Sequence, residues 1–367
     1  MDSLFLTVLI ASGIIFVSVV AMSLFRTQNH FPADGRTILI TGASQGLGLS
    51  AARQLASKGA NVAIVARDVT KLESAIEEIR AAARRPEQQK FLSLSYDLTK
   101  PESARLILKE VSKWNGGQPP DVVWCCAGYA LPSFFADASL EAQRSQMDTV
   151  YWSSAYMAHE TINLWKQPAP VLPPVASKGE LPPAPAPARH LIFTSSALAF
   201  FPIAGYTPYT VGKVAMRALA DSLNQEVAVY NGARRSAAVP ATEKPAADIK
   251  IHITFPMGIQ GAGLDYENTL KPELTVLLEK DDVPQLADEV ATNTIASLEK
   301  GEYMITTMFL GHLMKGSAMG SSLRSGIMDY LWNFLGSIVI LFVAPDFLSK
   351  CSKWGTDRGL HTGPKAK

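Results

Sequence analysis

Thr37-Ile38-Leu39-Ile40-Thr41-Gly42-Ala43-Ser44-Gln45-Gly46-Leu47-Gly48 decides the fold. Five β-branched and apolar residues run into a turn carrying three glycines, and an apolar-periodic stretch, Leu47–Ser57, follows at once. A strand, a glycine turn and a helix in that order bring the backbone close to a pyrophosphate, whose charge sits at the helix N-terminus. A glycine-rich turn alone is only a tight loop. Its placement between strand and helix marks Gly42, Ser44, Gln45, Gly46, Leu47 and Gly48 as candidate dinucleotide-binding residues.

The same alternation continues to about Thr307. Strands are predicted at Asn61–Ala66, Phe91–Tyr96, Val122–Cys126, His190–Ser195, Lys250–Phe255 and Tyr303–Thr307. Helical periodicity separates them at Leu72–Ala83, Gln143–Trp165 and Val211–Tyr230. Continuous apolar strands divided by helices imply a parallel sheet covered on both faces, an α/β doubly wound fold. Asp282 is placed to cap a last helix over Val283–Glu299, which Gly301 would stop. Two Pro-rich stretches, 167–189 and 232–248, lack either periodicity and read as exposed inserts, with docking of a Pro-binding partner a minor alternative. The domain boundaries follow: 1–30 an N-terminal segment, 36–310 the dinucleotide-binding domain, 311–367 a tail.

Both ends are apolar. Leu4 to Phe25 is uncharged, and as a helix its roughly 22 residues would reach about 33 Å, enough to cross a hydrocarbon core. A cleaved signal peptide is the competing reading, disfavoured by the length of the run and by Asp2 as the only preceding charge. Arg26 and Arg36 follow it, which places the body of the protein in the cytosol. Ile327 to Leu348 is apolar and aromatic, but its uncharged part is broken at Asp346 and Pro345. An interfacial segment, a membrane crossing and a helix packed on the core all remain open there.

The remaining composition is restrained. A net charge of +1 offers no nucleic-acid surface. Three cysteines, two of them adjacent (Cys125, Cys126), suit a reducing compartment. The six histidines are dispersed without ligand-like spacing, so no metal site is expected.

The second strand bears on which dinucleotide binds. An NAD site holds the ribose 2′-hydroxyl with a carboxylate near that strand's end. Here the strand ends in Arg67, which would pair with a 2′-phosphate, and Ser44 could assist. NADPH is the expected cofactor. Asp68 follows and can cap the next helix instead. Asp97, after the third strand, is placed for the adenine edge or for a local cap.

Tyr209-x-x-x-Lys213 opens a helix, and Ser196 lies thirteen residues before the tyrosine. Positions i and i+4 share a helix face, so phenol and ammonium can lie together. A neighbouring cation favours the ionised phenol and poises Tyr209 as a general acid toward a carbonyl oxygen. Lys213 would also reach the nicotinamide ribose, and Ser196 would hydrogen-bond the substrate oxygen as charge develops. Such a spacing is common by chance; downstream of a cofactor turn it is a candidate catalytic set.

With these motifs the chain resembles the short-chain dehydrogenase/reductases, a Rossmann-type family, across roughly Arg36 to Thr307. Within them it is similar to the 3-ketodihydrosphingosine reductases, particularly fungal ones. The narrower likeness rests on Cys125-Cys126-Ala127-Gly128-Tyr129, Gly205-Tyr206-Thr207-Pro208-Tyr209, Phe255-Pro256-Met257-Gly258-Ile259-Gln260-Gly261, Glu267-Asn268 and Lys271-Pro272-Glu273. The resemblance implies NADPH-dependent reduction of a long-chain sphingoid ketone at the cytosolic face of the endoplasmic reticulum membrane. It implies cofactor contacts at Ala127 and Gly128, a substrate loop over Met257 to Leu264, and homo-oligomers built on long helices around Ala155 and Leu219. Two positions depart from the family pattern. Cys126 stands where asparagine is usual before Ala-Gly, and Val150 stands at the place of a relay asparagine. Membrane-bound reductases of steroid, retinoid or fatty-acyl ketones share the core motifs, and a non-catalytic NADPH-binding scaffold is the alternative of another class.

Overall fold

A computed structural model of the chain describes residues 28–168, 186–236, 239–320 and 323–358. Its frame is seven strands: β1 (Thr37–Thr41), β2 (Asn61–Ala66), β3 (Phe91–Ser95), β4 (Val122–Cys125), β5 (Arg189–Thr194), β6 (Ile249–Phe255) and β7 (Met304–Thr306). They pair in parallel, in the order β3-β2-β1-β4-β5-β6-β7. The doubly wound sheet expected from the sequence is therefore present. Chain direction across the sheet reverses between β1 and β4, which opens a crevice beyond their C-terminal ends.

Helices cover both faces. On one lie α1 (Gly46–Ser57), α2 (Val69–Ala81) and, near the end of the domain, α9 (Ala287–Glu299). Ile38, Ile40, Ile64, Trp124 and Ile192 meet Leu55, Leu72, Ile79 and Ile295 there. The other face carries α3 (Pro101–Trp114), α5 (Ser153–Trp165) and α6 (Thr207–Arg235). Leu39, Val65, Val123 and Phe193 pack on Ile107, Met157, Trp165 and Met216. Odd and even residues of one strand thus enter different cores, as the two-residue period of a strand requires. This is why the central strands β1, β2 and β4 read as near-continuous apolar runs.

Four local expectations are corrected. The helix expected at Gln143–Trp165 is α4 (Leu140–Met147), a π turn (Asp148–Trp152) and α5. In the π turn Val150 is fully buried against α6, where a Cβ on Gly212 would come within 2.9 Å of its Cγ1. Glycine at 212 permits that close approach. Next, Asp282 does not cap the last helix. The chain from Pro284 stays extended, with Gln285 N–H donating to the Gly258 carbonyl at 2.8 Å, and the helix begins at Ala287 after Leu286. Gly301 does terminate it, in the left-handed conformation at φ +79°.

The 232–248 insert is shorter than expected because α6 runs on to Arg235. Asn231 ties it to β6 with two 2.8 Å bonds to the Ile249 backbone, and Arg234 and Arg235 both pair with Asp248. Most of the other insert lies outside the described residues, as does the whole Leu4 to Phe25 segment. Finally, Pro345 does not end the tail segment. It sits inside α11 (Ile327–Arg358), whose apolar part, Ile327–Phe347, has a mean hydropathy of 1.8 and is long enough to cross a membrane. Only 12% of that window is buried.

The tail helix is nonetheless fastened to the domain. α10 (Phe309–Ala318) crosses it at two glycines: a Cβ on Gly316 would meet the Trp332 carbonyl oxygen at 2.0 Å, and one on Gly336 the Leu313 oxygen at 2.3 Å. Small residues let helix backbones approach this closely. Beside the crossing, Lys315 and Asp329 form a buried ion pair at 2.6 Å. Asp329 also accepts from the Ser325 N–H at 2.8 Å, so the charges are not left unsatisfied.

Candidate active site

The crevice at the sheet's C-terminal edge is a cavity of about 1630 Å³. It is lined by every candidate catalytic and cofactor-binding residue: Gly42, Ser44, Gln45, Gly46, Leu47, Gly48, Arg67, Asp97, Ala127, Gly128, Ser196, Tyr209 and Lys213.

Its cofactor end is set by the glycine turn. Gly42 (φ +68°) presses on the β4 exit, where a Cβ would meet the Ala127 Cα at 2.6 Å. A Cβ on Gly48 would meet the Gly42 carbonyl oxygen at 2.5 Å, so only glycine lets α1 start this close to β1. Gln45 at the N-cap makes no side-chain cap bond, and the first turn holds no acid. The α1 amides therefore face the cavity unanswered by a side chain, which suits a pyrophosphate. Arg67 stands at the end of β2, exposed, and Arg53 and Lys71 also line the cavity. Sequence reasoning missed the latter two because they lie on helix faces, outside any motif. Asp68 also lines the cavity, and its carboxylate accepts from Lys71 N–H at 3.0 Å as the cap of α2. Asp97 is occupied locally by the Thr99 amide (3.0 Å) and hydroxyl (2.8 Å). Burial acts to raise its pKa, and these bonds with Arg67 and Lys100 outweigh it, holding it lowered.

The residues present thus fit a nicotinamide dinucleotide: an open helix N-terminus for the pyrophosphate, cations at the ribose end, and Lys213 toward the far end. Such a group would supply a hydride to a substrate carbon.

At that far end Ser196, Tyr209 and Lys213 converge. Ser196 follows β5 and its hydroxyl accepts from Leu198 N–H at 3.2 Å, which fixes its rotamer. Tyr209 lies in the first turn of α6, and Lys213, one turn on, is buried with Nζ donating to the Thr194 carbonyl at 2.7 Å. Nζ stands 5.4 Å from the Tyr209 ring centroid. Burial lowers the Lys213 pKa to about 8, with Cys126 acting the other way. For Tyr209 the expected downward shift is corrected. Burial first, then the charge of Glu267, raise its pKa, while a hydrogen bond with Ser196 opposes them. Tyr209 is therefore held as the protonated phenol, the state an acid must start from.

The two departures also resolve in space. Cys126 is a neutral thiol pushed up to about 12, chiefly by burial, and takes a 3.4 Å contact from the Thr194 hydroxyl. Val150 does not line the cavity; Thr149 from the same π turn and Ser153 at the start of α5 do.

Met257 to Leu264 line the cavity as well, and α7 (Ala262–Leu270) rises from that loop. Two contributors went unread. Tyr206 donates to Glu267, and its ring is 6.2 Å from that of Tyr209. Gly205 (φ +93°) brings α8 (Glu273–Leu278) against this corner, where Thr275 Oγ1 donates to the Ala204 carbonyl at 2.9 Å. The other contributor is the tail itself: Leu313, Met314, Val339, Ile340, Val343 and Phe347 line the cavity. Their distance in sequence from every motif hid them.

The short chain dehydrogenase family model matches residues 36–248. The chain belongs to the short-chain dehydrogenase family. Among curated proteins it is 51% identical to a 3-ketodihydrosphingosine reductase of Aspergillus fumigatus, over 96% of this chain and 93% of that one. It is 41% identical to a 3-ketodihydrosphingosine reductase of Neurospora crassa, over 94% and 90%. Among solved structures it resembles a dehydrogenase from Burkholderia cenocepacia with bound NADP, at a TM-score of 0.57 and 16% identity, covering 76% of this chain and 93% of that one. A Burkholderia phymatum family member in complex with NAD gives a TM-score of 0.56 at 16% identity, over 76% and 90%.

Proposed function

We propose that the chain reduces 3-ketodihydrosphingosine to dihydrosphingosine with NADPH, at a membrane. The observation that carries this reading is one cavity with Arg67 at its cofactor end, Ser196, Tyr209 and Lys213 at its centre, and an apolar wall from the tail helix beyond. Near-full-length kinship with fungal 3-ketodihydrosphingosine reductases supports the substrate.

In this reading the substrate's 3-keto oxygen lies between the Ser196 and Tyr209 hydroxyls. Tyr209 gives its proton to that oxygen as carbon 3 accepts the hydride, so the ketone becomes a secondary alcohol. Ser196 holds the oxygen as negative charge develops. Lys213, cationic below about pH 8, stabilises the phenolate left on Tyr209 and binds the nicotinamide ribose. Arg67 takes a 2′-phosphate, which favours NADPH over NADH. Gly42 to Gly48, Asp97, Ala127 and Gly128 complete the cofactor cleft.

Residues 36–310 form the reductase domain in this account. The Leu4 to Phe25 segment anchors it in the endoplasmic reticulum membrane with the domain in the cytosol. The exposed flank of α11, including Tyr330, Phe334, Leu341 and Phe342, meets the bilayer while its other flank lines the cavity. A long-chain ketone gains about 0.8 kcal/mol per CH₂ by staying in lipid, so an enzyme open toward the bilayer meets it there.

The test is NADPH oxidation by the detergent-purified protein with 3-ketodihydrosphingosine, beside steroid and retinoid ketones. Turnover of the sphingoid ketone is expected. Turnover only of a steroid or retinoid would move the protein to another lipid substrate.

A further inference from the structure

The reaction site lies beside an ionic cluster that the hydride and proton transfers do not use. Tyr206 donates its hydroxyl hydrogen to Glu267 Oε1. Lys271 Nζ is 3.6 Å from the same oxygen and 2.7 Å from Glu279 Oε2, and it lies 5.8 Å from the Tyr206 ring centroid. Tyr206, Glu267, Lys271 and Glu279 all line the cavity, and the Lys271 side chain is only 8% exposed. Two carboxylates against one ammonium leave this group one negative charge in excess. The nearby Lys280 and Asp281 pair with each other at 3.9 Å and do not change that balance; Asp282 adds to it.

A partly desolvated excess charge is costly unless a ligand answers it. Lys271 leans toward Glu279, and both contacts of Glu267 fall on Oε1, which leaves Oε2 for another donor. Glu267 is also near enough to Tyr209 for its charge to bear on the phenol. A cation bound there would therefore sit next to a carbonyl held by Tyr209.

We propose that Glu267 binds the protonated amino group of a 2-amino-3-ketone and so selects amino-ketones over neutral ketones. This rests on the substrate reading above, in which the ammonium stands on the carbon adjacent to the carbonyl. Steroid and retinoid ketones carry no cation and would leave the excess charge unanswered. With the amino-ketone, an ammonium–carboxylate bond at one end and the apolar wall of α11 at the other would align the carbonyl with Tyr209.

The test compares kcat/KM for 3-ketodihydrosphingosine and for the same chain lacking the 2-amino group, in wild type, Glu267→Gln and Tyr206→Phe. Wild type should prefer the amino-ketone by at least about tenfold, roughly 1.4 kcal/mol. Glu267→Gln should lose most of that preference. Tyr206→Phe, which removes the hydrogen bond but keeps the carboxylate, should retain it. Equal wild-type turnover of both ketones would overturn the inference while leaving the reductase reading intact, and this arm needs no variant to fold. An equal fall of both substrates in Glu267→Gln would make Glu267 structural and also overturn it. Wild-type silence on both, with NADPH still bound, would instead fell the substrate reading itself.

Discussion

Lys213 Nζ lies 5.4 Å from the centroid of the Tyr209 ring and is held there by the Thr194 carbonyl at 2.7 Å. The ammonium is thus fixed by backbone, and its charge is available to the phenol rather than spent on a carboxylate.

That placement has a pH signature. Burial has lowered the Lys213 pKa to about 8, so the cation is present below that value and lost as pH rises through it. Because Tyr209 is shifted upward from the ordinary phenol, its own ionisation lies beyond this window. The kcat/KM for ketone reduction, which reports the free enzyme, should hold below and fall through about pH 8. A profile flat to well above pH 9 would remove Lys213's charge from the mechanism.

In the proposed reading Arg67, after β2, pairs with the 2′-phosphate that NADPH carries and NADH lacks. Arg67→Ala should weaken NADPH far more than NADH. The lost charge-assisted bonds are worth about 1.5–3 kcal/mol, roughly 10- to 100-fold in KM. Steady-state kinetics with both cofactors checks it, and equal losses would contradict it.

Val150 is packing, not a proton carrier. Val150→Asn would bury an amide against Gly212 at a cost of about 1–3 kcal/mol and lower Tm, with no gain in turnover. Thermal unfolding beside the NADPH assay reads both. A faster enzyme of unchanged Tm would restore the relay at this position.

The crossing of α10 and α11 needs glycine. A Cβ at Gly336 would meet backbone at 2.3 Å, which no rotamer relieves. Gly336→Ala should cost about 1–3 kcal/mol and, by shifting α11, raise KM for a long-chain ketone more than for a short one. A variant with wild-type Tm and unaltered chain-length dependence would detach α11 from the cavity.

The frame was legible because every strand except the edge strand β3 is largely buried, so apolar residues and glycine punctuation carried the pattern from Thr37 to Thr306. Catalytic candidates were legible for a related reason: a four-residue helical spacing puts Tyr209 and Lys213 on one face wherever the helix lies. What stayed hidden depended on contacts across the chain. The π turn at Val150 answers to Gly212, and the start of α9 answers to an extended pairing of Gln285 with Gly258. The upward shift of Tyr209 comes from burial and from Glu267, neither of which the Tyr-Lys spacing contains. Pro345 stands inside α11, where its own propensity would have ended the helix.

The most direct test of the central claim is to supply NADPH deuterated at the transferable C4 position together with 3-ketodihydrosphingosine, and to weigh the product. The account predicts dihydrosphingosine with deuterium on carbon 3. The rate should fall by about 10²- to 10⁴-fold in Tyr209→Phe while NADPH binding persists. Product without deuterium, or a Tyr209→Phe variant as fast as wild type, would contradict it.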